Sequence, residues 1–122
     1  MNDDKDYIAR TERLPSWFMY PSGMRILIEQ KCINFIPWRI VDADFALTTY
    51  LDLREKYGRE LFPIAHRDGS DDVACMEEGR GEVILVINGH TSPGEENLEK
   101  FENFWEWFRA AVDEMIELCR YR

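Results

Sequence analysis

The densest run of chemically competent side chains is His66-Arg67-Asp68-Gly69-Ser70-Asp71-Asp72. Oxygen-rich loops of this kind hold calcium, and an Asp-x-x-Asp pair can hold magnesium. The spacing departs from the EF-hand loop, and no glutamate stands where that loop would end. The same aspartates serve in a turn, where their side chains accept backbone N–H groups, or as an exposed patch for a cationic partner. His66 and His90 are isolated in the sequence, so a zinc site lacks the usual closely spaced ligand pair. An acid–base pair among the aspartates has no accompanying nucleophile or oxyanion donor. GxGxxG, P-loop, GxSxG and HExxH patterns are absent. No residue is therefore assigned a catalytic role, and neither a metal nor a cofactor is expected.

Charge points to a binding surface. The 122 residues carry a formal net charge of −9, which opposes nucleic acid and anionic membranes and favours a basic partner. Fourteen of the 24 acidic residues fall in two segments, six between Asp68 and Glu82 and eight between Glu95 and Glu117. The first segment contains one base, Arg80, and the second two, Lys100 and Arg109. Asp68, Asp71, Asp72, Glu77, Glu78, Glu99, Glu102 and Glu106 are the candidate contacts for a basic protein. Trp107 joins them. It lies about 200° round a helix from Trp105, away from the apolar stripe, where a tryptophan is either covered by a segment such as residues 14–20 or free to anchor a partner.

The elements that would position these residues follow from periodicity. Residues 1–13 are mostly charged and read as a loosely held tail, leaving 14–122 as one domain. Leu14 to Tyr20 is the first apolar segment. Met24 to Gln30 fits a short helix or a strand, with its β-branched content leaning to strand. Cys32 to Val41 reads as extended, broken by Pro37. Asp42 or Asp44 caps a helix over about 43–57 that ends at Gly58, after Arg54 and Lys56 in its last turn. Strands are expected at Leu61–His66, with Pro63 marking an edge or irregular start, then at Asp72–Glu77 and Glu82–Asn88. The last has apolar residues on both faces and reads as central. Leu98, Phe101, Trp105, Phe108, Val112, Met115 and Cys119 then recur at steps of three and four, predicting a long helix over about 97–120 with Phe101, Trp105 and Phe108 in the core. This order predicts an α+β fold, with an antiparallel or mixed sheet packed by a long C-terminal helix and the shorter helix near 43–57.

Sixteen aromatic residues and 45% apolar content supply a core without disulfide or metal. Cys32, Cys75 and Cys119 are scattered, odd in number and set in apolar runs. They read as buried free thiols of a cytoplasmic protein. The polar start of the chain lacks a signal-peptide pattern, and no apolar run is long enough to span a membrane. Oligomeric state is not legible at this level.

The segment from Leu61 to Met76, with Ile64-Ala65, the polar loop, Asp71-Asp72 and Val73-Ala74, resembles the signature of the SUKH superfamily, which includes the fungal Smi/Knr regulators. Pro37-Trp38, the helix ending at Tyr57-Gly58, the Glu82–Asn88 strand and the aromatic C-terminal helix fall in similar places, so the resemblance covers about residues 31–118. The short section before it, with Leu14-Pro15 and Ser22-Gly23, departs from the longer helical section usual in that superfamily. The resemblance implies an α+β fold, no catalytic residues and, for bacterial relatives, an immunity protein that neutralises a polymorphic toxin, often a nuclease. A regulatory scaffold of the Smi/Knr type is the alternative it implies. A small metal-dependent enzyme using Asp68, Asp71, Asp72 and a histidine is the third reading.

Overall fold

Three consecutive strands with apolar residues on both faces form the middle of the sheet. In the computed structural model, which describes residues 7–121, they are β3 (Leu61–Arg67), β4 (Asp72–Glu77) and β5 (Ile84–Asn88). The hairpin β1 (Asn34–Phe35) and β2 (Trp38–Ile40) pairs with the far half of β3, and β6 (Asn97–Phe101) closes the other edge. The six strands lie in chain order and every pairing is antiparallel. Three α-helices complete the described residues: α1 (Ser22–Glu29), α2 (Ala43–Tyr57) and α3 (Phe104–Cys119). The architecture is α+β, as expected.

The two faces of the sheet are covered differently. Ile84 and Val86 of β5 pack with Phe62, Ala74, Met76, Phe104 and Trp107 in the larger core. Leu85 and Ile87 pack on the opposite face with Leu61, Val73, Cys75 and Leu53 of α2. β5 is therefore central and buried on both sides, as its sequence predicts. β2 reaches only Ala65–Arg67 of β3. The Leu61–Pro63 half is open on that side, and Tyr50 of α2 meets Phe62 there at 5.7 Å between ring centroids.

α2 has the expected termini. The Asp42 side chain accepts from Phe45 N–H, and Gly58 adopts φ +65° at the C-cap, a left-handed conformation that costs glycine little. Pro63 lies in the half of β3 that β2 does not pair, a local edge of a strand that is interior in the sheet order. It sits at a register shift between Pro63 and Ala65, where its missing N–H is tolerated.

Five expectations are corrected. Residues 24–29 are helical, not extended: Met24, Leu27 and Ile28 bury one face of α1, and that packing outweighs the β-branched residues. Gly23 permits it, since a Cβ there would stand 2.5 Å from Cδ2 of Phe104 and 2.9 Å from Cε2 of Trp105. The long C-terminal helix is shorter than predicted, because Asn97–Phe101 pairs with β5 as a strand. α3 starts at Phe104, where Asn103 accepts from Glu106 N–H at 3.0 Å. Cys75 is buried, but Cys32 is only partly covered and Cys119 is exposed. Within the expected tail, residues 1–6 lie outside the described residues. Ala9 is buried, and its N–H donates to Tyr20 Oη at 3.0 Å.

The phase of α3 is the fifth correction. Trp107 is 1% exposed and Trp105 46%. The inward face is Phe104, Trp107 and Ala111. Trp107 meets Trp38 at 5.6 Å, Phe104 at 5.6 Å and Phe35 at 6.0 Å between centroids. Trp107 is a core residue and cannot anchor a partner. Among the described residues no helix is long and apolar enough to cross a membrane.

Candidate partner-binding surface

Antiparallel pairing decides which carboxylates share a surface. β4 runs from Asp72 to Glu77, so the ends of the first acidic segment are separated by about 17 Å of strand. Asp68, Asp71 and Asp72 stand at one end of the sheet, beside the β5–β6 loop. Glu77, Glu78 and Glu82 stand at the other, where Ile84 pairs with Phe101 and the chain turns into α3. Glu102 and Glu106 belong to that second end.

The aspartate cluster does not converge on a single point. Asp68 accepts from Arg39 Nε at 2.9 Å. Asp72, with a side chain 15% exposed, accepts from Asn88 Nδ2 at 2.7 Å and lies 3.9 Å from Arg67. Asp71 is 65% exposed, with His90 Nδ1 at 4.0 Å. His66 is held by its Nε2 against Ser70 O at 2.8 Å, and its Nδ1 is buried without a hydrogen bond. Ser70 completes the turn, its Oγ accepting from Asp72 N–H. Among the described residues no three His, Cys, Asp or Glu side chains are placed to hold a metal ion.

Glu77 is not a free surface charge. It forms a bidentate pair with Arg59, at 2.9 and 3.0 Å, and accepts from Arg80 at 2.9 Å. Arg59 also donates to Glu96 at 2.8 Å and to Asn97 at 2.9 Å. Glu96 is the one charged residue among the buried ones described, and its other oxygen accepts from Gly94 N–H at 2.7 Å. The Arg59 hydrogen bonds hold the Glu77 carboxyl below its ordinary pKa. Burial works to raise that of Glu96, but Arg59 and the Gly94 N–H outweigh it and the net shift is downward. This network ties the α2–β3 connection to β4 and β6 and is structural. The sequence reading missed Arg59, since nothing local separates it from any other arginine.

Glu99 lies exposed on β6 and lines a narrow cleft of about 100 Å³ with Phe101, Trp107 and Glu114. Glu114 fastens α3 to the sheet, accepting from Trp38 Nε1 at 3.0 Å and pairing with Arg67.

What remains open at the second end is a groove of about 460 Å³. Tyr20, Met76 and Phe104 contribute apolar walls, with Trp17, Met19 and Trp105. Met19 is 80% exposed. Trp17 is fixed by its Nε1 donating to Glu60 at 3.0 Å, and Tyr50 Oη donates to the same oxygen at 2.5 Å. The hydrogen bonds from Tyr50 and Trp17 hold the Glu60 carboxyl below its ordinary pKa. Glu82 lines the groove. Glu78 adjoins it in the β4–β5 turn, and Glu102 and Glu106 flank the Asn103–Trp105 wall in sequence. All four are exposed, and none has an ion-pair partner among the described residues. Of the candidate contacts, Glu78, Glu102 and Glu106 adjoin the lining residues in sequence. Asp68, Asp71 and Asp72 stand at the far end, and Glu77 and Trp107 are consumed by the fold. Met19 and Glu82 were not singled out from the sequence, because neither lies in a motif. No family model, curated protein or solved structure matches this chain.

Proposed function

We propose that the domain is a non-enzymatic binding module that takes a basic protein at the groove between Met19, the β4–β5 turn and the start of α3. The carrying observation is an apolar groove of about 460 Å³ lined by Glu82, with Glu78, Glu102 and Glu106 next in sequence to lining residues and all four carboxylates exposed and without an ion-pair partner among the described residues. Apolar walls supply contact area, and the carboxylates steer a cationic partner and gain from its arrival. The resemblance of Leu61–Met76 to the SUKH signature supports a more specific form: an immunity protein that masks the basic face of a toxin, a nuclease being the natural candidate. Cytoplasmic residence belongs to the same reading.

The test is affinity capture from the native cell, with wild type and a Glu82→Lys/Glu102→Lys variant. Any basic protein retained by wild type is identified, and its association rate is measured. The reversal is expected to slow association by about tenfold at low salt, with the difference shrinking at high salt. Equal capture and equal rates for the two proteins overturn the reading.

A further inference from the structure

α3 carries more apolar surface than the sheet covers. Beside its buried face, Trp105, Phe108, Val112, Ile116 and Cys119 recur at steps of three and four. Trp105, Ile116 and Cys119 are exposed, and Phe108 and Val112 only partly covered. A seam with this spacing is the surface along which one helix packs against another. Ile26 of α1, one turn on from Gly23, is a further exposed apolar side chain.

The residues beside the seam indicate what covers it. Arg109 and Asp113 on its open flank have no ion-pair partner among the described residues. Arg120 is paired with Glu117 of its own turn at 2.9 Å. Consider two copies of α3 laid antiparallel about a two-fold axis at Val112, so that positions equidistant from Val112 face each other. Trp105 then meets Cys119 of the second copy, a large side chain against a small one, and Phe108 meets Ile116. Arg109 falls between Asp113 and Glu117 of the second copy, and Arg120 between Glu102 and Glu106. Each contact occurs twice, as a two-fold interface requires.

We propose that the chain forms a homodimer through this antiparallel α3–α3 contact. The inference rests on the exposed seam of α3 and not on the groove, although Trp105, Glu102 and Glu106 enter both. A seam of five side chains on one helix is smaller than a standard interface of roughly 800 Å² per partner, so association is sought up to high protein concentration.

The test is sedimentation equilibrium of the full chain from about 1 to about 100 µM. The mass is expected to rise with concentration towards twice the 14.5 kDa of one chain. Ile116→Lys, at an exposed position, should keep the native circular dichroism and weaken the dimer at least about tenfold. Arg109→Asp should also weaken it, and adding Asp113→Arg to that variant should recover part of the loss. The proposal is overturned if the wild type stays monomeric at the highest concentration, if Ile116→Lys dimerises as well as wild type, or if the double charge swap is no better than Arg109→Asp alone.

Discussion

Trp105 and Trp107 are two residues apart on one helix, and the structure assigns them opposite roles. Trp107 is 1% exposed, enclosed by Phe35, Trp38, Phe104 and Phe108. Truncation to alanine there removes a full aromatic side chain and leaves a cavity that neighbouring rings cannot collapse into. The expected cost is about 3–5 kcal/mol. Trp105 is 46% exposed, so its truncation forfeits about half the burial, opens no enclosed void and should cost about 1–2 kcal/mol. A domain of this size has about 5–15 kcal/mol in hand and a urea slope of about 1.5 kcal/mol per molar. Trp107→Ala should then lower the urea midpoint by about 2–3 M, and Trp105→Ala by about 1 M. Urea unfolding followed by far-UV circular dichroism, at one dilute protein concentration, reads both. Equal midpoint shifts for the two variants, or a larger shift for Trp105→Ala, would refute the helix phase and the core built on it.

Gly23→Ala should destabilise by about 1–3 kcal/mol despite alanine's better helix propensity, because the new Cβ meets the buried Phe104 ring at 2.5 Å; a thermal melt equal to or above wild type contradicts the close α1–α3 contact. The carboxyls of Glu77, Glu96 and Glu60 are all held below their ordinary pKa. Their stabilisation is therefore complete above the unfolded value near 4.3 and is lost as pH falls through the lowered folded values. Glu77→Gln should destabilise at pH 7 by about 2–4 kcal/mol and flatten this acid limb, as measured by urea midpoints across pH; an unchanged pH profile contradicts the Arg59 network. Burial pushes the Cys75 thiol well above its ordinary pKa, while Cys119 is exposed. A thiol reagent such as dithionitrobenzoate should label Cys119 in the native protein and Cys75 only on unfolding; rapid native labelling of Cys75 contradicts its position between β3 and β5.

Local signals were sufficient wherever a residue acts on its own neighbours. Asp42 and Gly58 announced both ends of α2, because a cap bonds to its own helix. The alternation along β5, apolar on both faces, announced a covered central strand, because side-chain direction along a strand has a period of two. The composition announced an apolar core. Asn103 followed by Glu106 was a legible helix start too, but the apolar spacing continued unbroken through Leu98 and Phe101 and masked it. In the helix itself, Trp105-Phe108-Val112 and Phe104-Trp107-Ala111 both have three- and four-residue steps. The first stripe is the more hydrophobic. The second faces the core because Ala111 lets the helix approach the sheet and Trp107 fills the space beside Trp38 and Phe35. Sequence spacing cannot rank two stripes when the hole that one of them fills is built by residues 70 positions away. The same holds for the surface. That Glu77 is spent on Arg59, that Glu82 lines a groove while Asp71 stands at the other end, and that Met19 and Trp105 border the same groove are consequences of antiparallel pairing between distant strands. Charge content was fixed by the chain; which charges stand together, and which remain free for a partner, was decided by tertiary structure alone.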